Sequence, residues 1–428
     1  MSIRIKNVNA NFEREPLIRP FGFKGGYLSN LWNTIAYLES DDGTYGFGLG
    51  TQSVLWSDKN VFLSSSEGGG NSLMFAITDY ALQMVKGQEF ESPIQLQEEI
   101  FDELYEYAKK ITGLDNLSKT FVLNALVSFD NAVWMLYARK KSLKDFDSMV
   151  PAGYRKALSH RHHTVASIPI ASYGMPFEEI EKVVSEEDAK ILKFKLGSPG
   201  SQEQMLEQDK EAIEKVHKAI GSTHVEYTED GKFPYYLDLN GRYEAKDTIR
   251  KLLDHADKIG AIGQIKILEE PFPESLKEDV SDLGVNVAAD ESAHTSANVM
   301  ERIELGYGSI ALKPIAKTLS TTLKMAETAR KNNVPCFAAD LTVNPILVDW
   351  NKNVAARLAP IPGFKIGLME TNGHQNYKNW ARMKSYHPYP DATWTKEKEG
   401  VFTLDDDFFN KSGGILEDSD HYVSLVKK

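Results

Sequence analysis

From Ser167 onward the chain alternates short apolar runs with amphipathic segments eight times, and five consecutive runs end in a charged residue. The runs are Ile191-Leu192-Lys193-Phe194-Lys195, Tyr235-Tyr236-Leu237-Asp238, Ile265-Lys266-Ile267-Leu268-Glu269, Val287-Ala288-Ala289-Asp290 and Ile310-Ala311-Leu312-Lys313. Strands are predicted over 168–173, 191–196, 235–239, 265–269, 286–290, 309–313, 335–340 and 364–369. Helices are predicted over 176–189, 202–220, 244–259, 274–283, 295–304, 318–332 and 345–358. Apolar strands separated by amphipathic helices form a parallel sheet buried on both faces. Eight such repeats in about 200 residues predict an α/β fold, a TIM-like (β/α)7-8 barrel. In that barrel the charged strand ends converge on one pocket.

Upstream, 2–13, 34–39 and 44–50 read as strands, and 71–86, 92–113 and 119–139 as amphipathic helices. The boundaries are an α+β domain over 1–140, a connection over 141–166, the barrel over 167–372 and a C-terminal segment over 373–428. The last has no barrel pattern and is expected to pack back on the first domain or the barrel. Phe21-Gly22-Phe23-Lys24-Gly25-Gly26 is either a plain hairpin connection or a flap over a pocket. Residues 64–71, with three consecutive glycines, read as a flexible loop. His160, His162 and His163 sit beside Arg161 with no carboxylate close in sequence, so they read as linker rather than metal ligands.

The net charge of −12 argues against nucleic acid or an anionic membrane surface as a partner. One cysteine, Cys336, allows no intrachain disulfide and suits a reducing compartment. No run approaches the roughly 18 apolar residues of a membrane span. With no apolar signal-peptide core over 1–20, these features point to a cytoplasmic protein.

Asp238, Glu269 and Asp290 end three successive strands, which lie about 4.8 Å apart in a sheet. Three carboxylates that close repel unless a cation compensates them, and oxygen ligands with open positions suit Mg2+. Asn240 shares parity with Asp238 and is placed as support for it. Glu270 and Glu291 adjoin two of the acids, and strand alternation sends neighbours to opposite faces. Lys193 and Lys195 share parity and point into the barrel. At about 7 Å and an effective dielectric of about 20, their repulsion is roughly 2 kcal/mol, which favours a neutral, basic Lys195. Lys313, four strands on, lies opposite. Amines on both faces of one carbon suit racemisation or epimerisation, and one of them alone suffices for β-elimination or cycloisomerisation. A non-catalytic binding barrel gains nothing from such buried like charges.

These motifs resemble the enolase superfamily, in its muconate lactonizing enzyme/mandelate racemase family and the subgroup with dipeptide epimerases and o-succinylbenzoate synthases. The residues that carry the resemblance are Lys193-Phe194-Lys195, Asp238-Leu239-Asn240, Leu268-Glu269-Glu270-Pro271, Asp290-Glu291-Ser292 and Leu312-Lys313-Pro314. Their spacings of 43, 31, 21 and 23 residues (from 195 to 238, 269, 290 and 313 in turn) are similar to the family's. The helix with Asp130 and Trp134 is similar to one that closes the family's N-terminal capping domain. The resemblance implies Mg2+ held by Asp238, Glu269 and Asp290, with Lys195 and Lys313 as acid and base. Lys193 would tune Lys195 and touch the carboxylate of a small substrate. The reaction implied is removal of a proton α to that carboxylate through an enediolate. A racemase or epimerase of an amino-acid derivative or dipeptide is expected first. A lyase (a dehydratase or an o-succinylbenzoate-synthase-like enzyme) or a cycloisomerase is the alternative. The resemblance also implies a homo-oligomer, and specificity set by the cap loop with Phe21 and Phe23 and by the eighth-strand end.

The sequence departs from the family pattern in an insert over 227–234, in an extended tail after Asn372 and in two places that bear on the substrate. No histidine lies in 335–344, where Asp340 stands near the position of the mandelate racemase subgroup's base, which argues against acid-sugar dehydration. The eighth-strand end reads Gly367-Leu368-Met369-Glu370-Thr371-Asn372, without the Asp-x-Asp of dipeptide epimerases. Glu370 is left to do part of that work.

Overall fold

The computed structural model describes residues 2–23, 26–171, 175–186 and 188–427. The chain begins with a long hairpin, β1 (Ile3–Phe23) and β2 (Gly26–Ser40), paired antiparallel through Phe23–Gly26. β3 (Tyr45–Gln52) and β4 (Glu89–Phe90) complete a sheet of order β3-β2-β1-β4. The helix Val127–Lys140 lies directly on β3. A Cβ on Gly48 would meet the Ala132 nitrogen and the Ser128 carbonyl oxygen at 2.2 Å, so only glycine allows the approach. Residues 64–71 are not a flexible loop. They belong to the helical run Lys59–Val85, broken only at Ser66 (φ 65°), and Gly70 is packed against Val54 too tightly for a larger residue.

The second sheet is the barrel. β5 (Thr164–Ile168) and β6 (Ile170–Ala171) are one strand interrupted at Pro169. They are followed by β7 (Leu192–Lys195), β8 (Tyr235–Asp238), β9 (Ile265–Glu269), β10 (Val287–Ala289), β11 (Ser309–Leu312), β12 (Cys336–Ala338) and β13 (Gly367–Glu370). All neighbours from β6 to β13 pair parallel, and β13 pairs parallel with β5. The divided first strand closes the ring, with β5 bonded to β13 and β6 to β7. The predicted eight-stranded α/β barrel is thus present. One predicted crossover helix is not: 274–283 forms turns. Within it the Val280 amide bonds to the Leu305 carbonyl oxygen of a neighbouring loop and the Ser281 amide to Asp279 Oδ1, so neither continues a helical turn.

Strand parity builds the floor of the site. Ile191, Tyr236, Ile267, Ala288, Ala311 and Leu368 fill the barrel interior. Lys193, Asp238, Glu269, Asp290, Lys313 and Glu370 stand two residues further along the same strands, so each shares its parity and faces inward at the C-terminal rim. The C-terminal segment touches both sheets. β14 (Glu397–Lys398) and β15 (Val401–Thr403) form a hairpin antiparallel to β5, while Asn9 and Asn11 donate to the carbonyl oxygens of Val426 and Leu425. Among the described residues no single helix is long and apolar enough to cross a membrane. The bent apolar pair Lys119–Ala125 and Val127–Lys140 is buried in the cap core.

Candidate active site at the C-terminal rim of the barrel

Register puts Lys195, Asp238 and Glu269 at one level, because Lys195 pairs with Asp238 and Asp238 with Glu269. On β10 the residue level with Glu269 is Ala288, so Asp290 stands two residues higher, as the stagger of a closed barrel requires. The Lys193 ammonium lies among three carboxylates, 2.6 Å from Glu269 Oε2, 2.9 Å from Asp238 Oδ2 and 3.1 Å from Glu370 Oε2. Lys195 donates to Asp238 Oδ2 at 2.5 Å and to Asn240 Oδ1 at 2.9 Å. Lys313 is 2.5 Å from Asp290 Oδ2, and its ammonium lies 4.8 Å over the ring of Trp56, a cap residue.

This arrangement corrects the simple repulsion argument for the two lysines of β7. Asp238 Oδ2 lies between them and accepts from both. Burial works against the Lys193 charge, but Asp238, Glu269 and Glu370 outweigh it and hold the amine well above its usual range. The carboxyls divide in the same way. Burial disfavours the Asp238 and Asp290 charges, yet Lys193 and Lys195 hold the first below the usual carboxylate range, and Lys313, Lys317 and Lys193 the second. Glu269 is the exception: burial, with Asp238 and Asp290, pushes it well above that range.

Two groups in the cluster escape a reading by strand parity. Glu291 is not turned away from the pocket. β10 ends at Ala289, the chain turns, and Glu291 joins the pocket lining and accepts from Asn240 Nδ2 at 3.1 Å. Lys317, fully buried, donates to the Asp290 carbonyl oxygen at 2.6 Å, to Ala293 O at 3.0 Å and to Asp290 Oδ1 at 3.2 Å. Its signal in the sequence is the spacing of four from Lys313, one turn of the short helix Pro314–Lys317.

Of the remaining predicted residues, Asn240, Asp340 and Glu370 line the pocket. Phe21 lines it beside Leu28 and Leu31, so the β1–β2 hairpin does reach the barrel mouth; the side chain of Phe23 lies outside the described residues. Asp340 Oδ2 accepts from the Asn372 amide at 2.9 Å, and burial and the Glu370 charge push its carboxyl up to about 7. The histidine run acts as a tether, with His162 bonded to Leu358 O and His163 to Leu404 O.

The donor set fits a hard cation. Glu269, Asp290 and Glu291 each offer an oxygen within 4.8 Å of the others. Glu269 Oε2 accepts from the Tyr236 hydroxyl at 2.6 Å, while its buried Oε1 has no hydrogen-bond partner. A buried carboxylate oxygen without a donor, on the acid whose charge is least compensated, is where a cation restores balance. A capped parallel barrel whose rim gathers lysines and carboxylates around one pocket defines a class of barrel enzymes. Residues 177–389 match the family model described as enolase C-terminal domain-like, and the chain belongs to the enolase superfamily.

Several solved structures share the fold. The dipeptide epimerase of Enterococcus faecalis V583, solved with Mg and L-Leu-L-Tyr, is 15% identical with a TM-score of 0.63, over 94% of this chain and 98% of that one. The N-succinyl Arg/Lys racemase of Bacillus cereus ATCC 14579 is 17% identical with a TM-score of 0.61, over 88% and 89%. The L-Ala-D/L-Glu epimerase of Bacillus subtilis is 16% identical with a TM-score of 0.61, over 86% and 89%. No curated protein sequence matches.

Proposed function

We propose that this protein is an Mg2+-dependent racemase or epimerase acting on the carbon α to the carboxylate of an amino-acid derivative. The observation that carries the reading is the placement of Lys195 and Lys313. Lys195 ends β7 and Lys313 directly follows β11, four strands on in a ring of eight, and both line one pocket. A substrate carbon between them presents one face to each amine.

Glu269 and Asp290 would hold the cation, with Asp238 and the adjoining Glu291 as further donors. When bound, Mg2+ offsets negative charge on the substrate carboxylate and so makes the α-proton more acidic. Lys195 Nζ takes the proton from one face, and Lys313 Nζ delivers one to the other. Asn240, bonded to Lys195, holds that ammonium at the rim. Lys193 is kept positively charged by three carboxylates and acts as an electrostatic partner for the substrate carboxylate rather than as a base. Trp56, Phe21, Leu28 and Leu31 form an apolar roof that excludes water from the reacting carbon.

The supporting relatives act on dipeptides and on N-succinylated arginine and lysine, as their names state. Proton NMR in deuterated water with Mg2+, over dipeptides and N-acyl amino acids, tests the reading. Exchange of the α-proton with change of configuration supports it. Loss of water or ring closure without inversion replaces it with a lyase or a cycloisomerase.

A further inference from the structure

Behind the tips of β12 and β13 lies a second cavity, about 430 Å³, between the barrel helix Pro345–Ala355 and the C-terminal chain. It is separate from the barrel pocket. Thr371 lines this cavity, while its neighbours Glu370 and Asn372 line the other.

Its inner wall is a closed polar cluster that the barrel chemistry does not use. Asp349 accepts from Lys352 at 2.8 Å and from His387 Nε2 at 2.7 Å, which occupies both carboxylate oxygens. The Tyr389 amide donates to His387 Nδ1 at 2.8 Å, so the imidazole proton is on Nε2 and the ring is neutral. Lys352 also donates to Trp394 O at 2.7 Å and lies 4.0 Å over the Phe402 ring. Lys352 and Asp349 therefore cancel each other and offer nothing to a ligand.

The rim is different. Lys384 is half-buried and Lys396 exposed, and among the described residues neither forms a salt bridge. The remaining lining acid, Glu397, accepts from Ser167 Oγ at 2.9 Å, so one of its oxygens is already engaged. Three lysines face two carboxylates around this cavity, one pair is internally neutralised, and the uncompensated charge is positive. Trp380 and Val348 supply an apolar wall beside it.

We propose that this cavity binds a small aromatic carboxylate, its carboxylate on Lys384 and Lys396 and its ring against Trp380. Two ammoniums facing one carboxylate beside an indole select an anion with a planar apolar body over a bare anion or a cation.

The test is calorimetric titration of the full chain with 4-bromobenzoate, benzylamine and inorganic phosphate, with the bromine located by anomalous scattering from crystals. The expected result is bromine in this cavity, with bromobenzoate binding tighter than either other probe. In the double variant Lys384→Gln/Lys396→Gln that affinity should fall at least about tenfold. Both lysines are away from the barrel pocket, so binding there is unaffected and remains as a control. Bromine only in the barrel pocket, an unchanged isotherm in the double variant, or phosphate binding as tightly as bromobenzoate would each overturn the proposal.

Discussion

The Lys317 ammonium lies 2.6 Å from the carbonyl oxygen of Asp290 and 3.2 Å from its carboxylate, with no exposure to solvent. One buried charge thus fixes both the main chain and the side chain of a residue that faces the pocket. Replacing it, Lys317→Met, leaves Asp290 without that charge and the Ala293 carbonyl oxygen without its donor. Breaking a buried, hydrogen-bonded pair of this kind destabilises by about 3 kcal/mol. Urea denaturation should show that loss. Calorimetry should show weaker Mg2+ binding, because Asp290 is no longer held in place. An unchanged midpoint would mean that the contact is dispensable.

Glu269 should control metal binding. Its carboxyl is held above the usual carboxylate range by burial and by Asp238 and Asp290. A metal needs the deprotonated form, so binding releases a proton, and Mg2+ affinity should rise as pH increases through the raised value. Glu269→Gln should abolish binding, and Glu291→Gln should weaken it about tenfold, the usual scale for removing a supporting group at a metal site. An affinity that does not rise with pH above the ordinary carboxylate range would remove Glu269 from the ligand set.

The two lysines should divide the exchange chemistry between enantiomers. Lys195→Ala should stop α-proton exchange in the enantiomer whose proton faces β7. Exchange in the other should continue, through Lys313; Lys313→Ala should show the converse. Each loss should be about 10²- to 10⁴-fold, the usual range for a positioned acid or base. Deuterium incorporation followed separately for the two enantiomers measures it. Equal loss in both enantiomers from either variant would indicate a single base.

Asp130 joins cap to barrel, accepting from Ser320 Oγ at 2.5 Å and from the Ser320 amide at 3.1 Å. Burial outweighs those bonds and pushes its carboxyl up to about 7. The unfolded chain releases this proton near pH 4, the folded one near 7, so between those values the folded state binds more protons. Stability should therefore fall as pH rises through that window, by up to about 4 kcal/mol from this group. Glu270 and Asp340, also near 7, add slope of the same sign. Asp130→Asn should reduce the slope of unfolding free energy against pH by one proton's worth. An identical slope would place the titration elsewhere.

The barrel strands were legible because apolar period and charged termini coincide: every predicted barrel strand is there, and parity alone aims Lys193, Lys195, Asp238 and Glu269 inward. The absence of the predicted helix over 274–283 shows the limit of periodicity, since a tertiary bond from Val280 to Leu305 overrode a weak local preference. The missed helical turn over 64–71 shows the reverse, because Val54 packing on Gly70 stabilises a conformation that three glycines disfavour alone.

What the sequence by itself determined is the ring of strands and the chemical types at its rim, because alternation along a strand is a local property of the backbone. The tertiary structure alone decided how those charges pair. Asp238 comes to lie between two lysines, Glu291 turns into the pocket past the end of β10, and Trp56 crosses from the cap to Lys313. Each depends on barrel stagger, loop turns or domain packing, which bring together residues far apart in the chain.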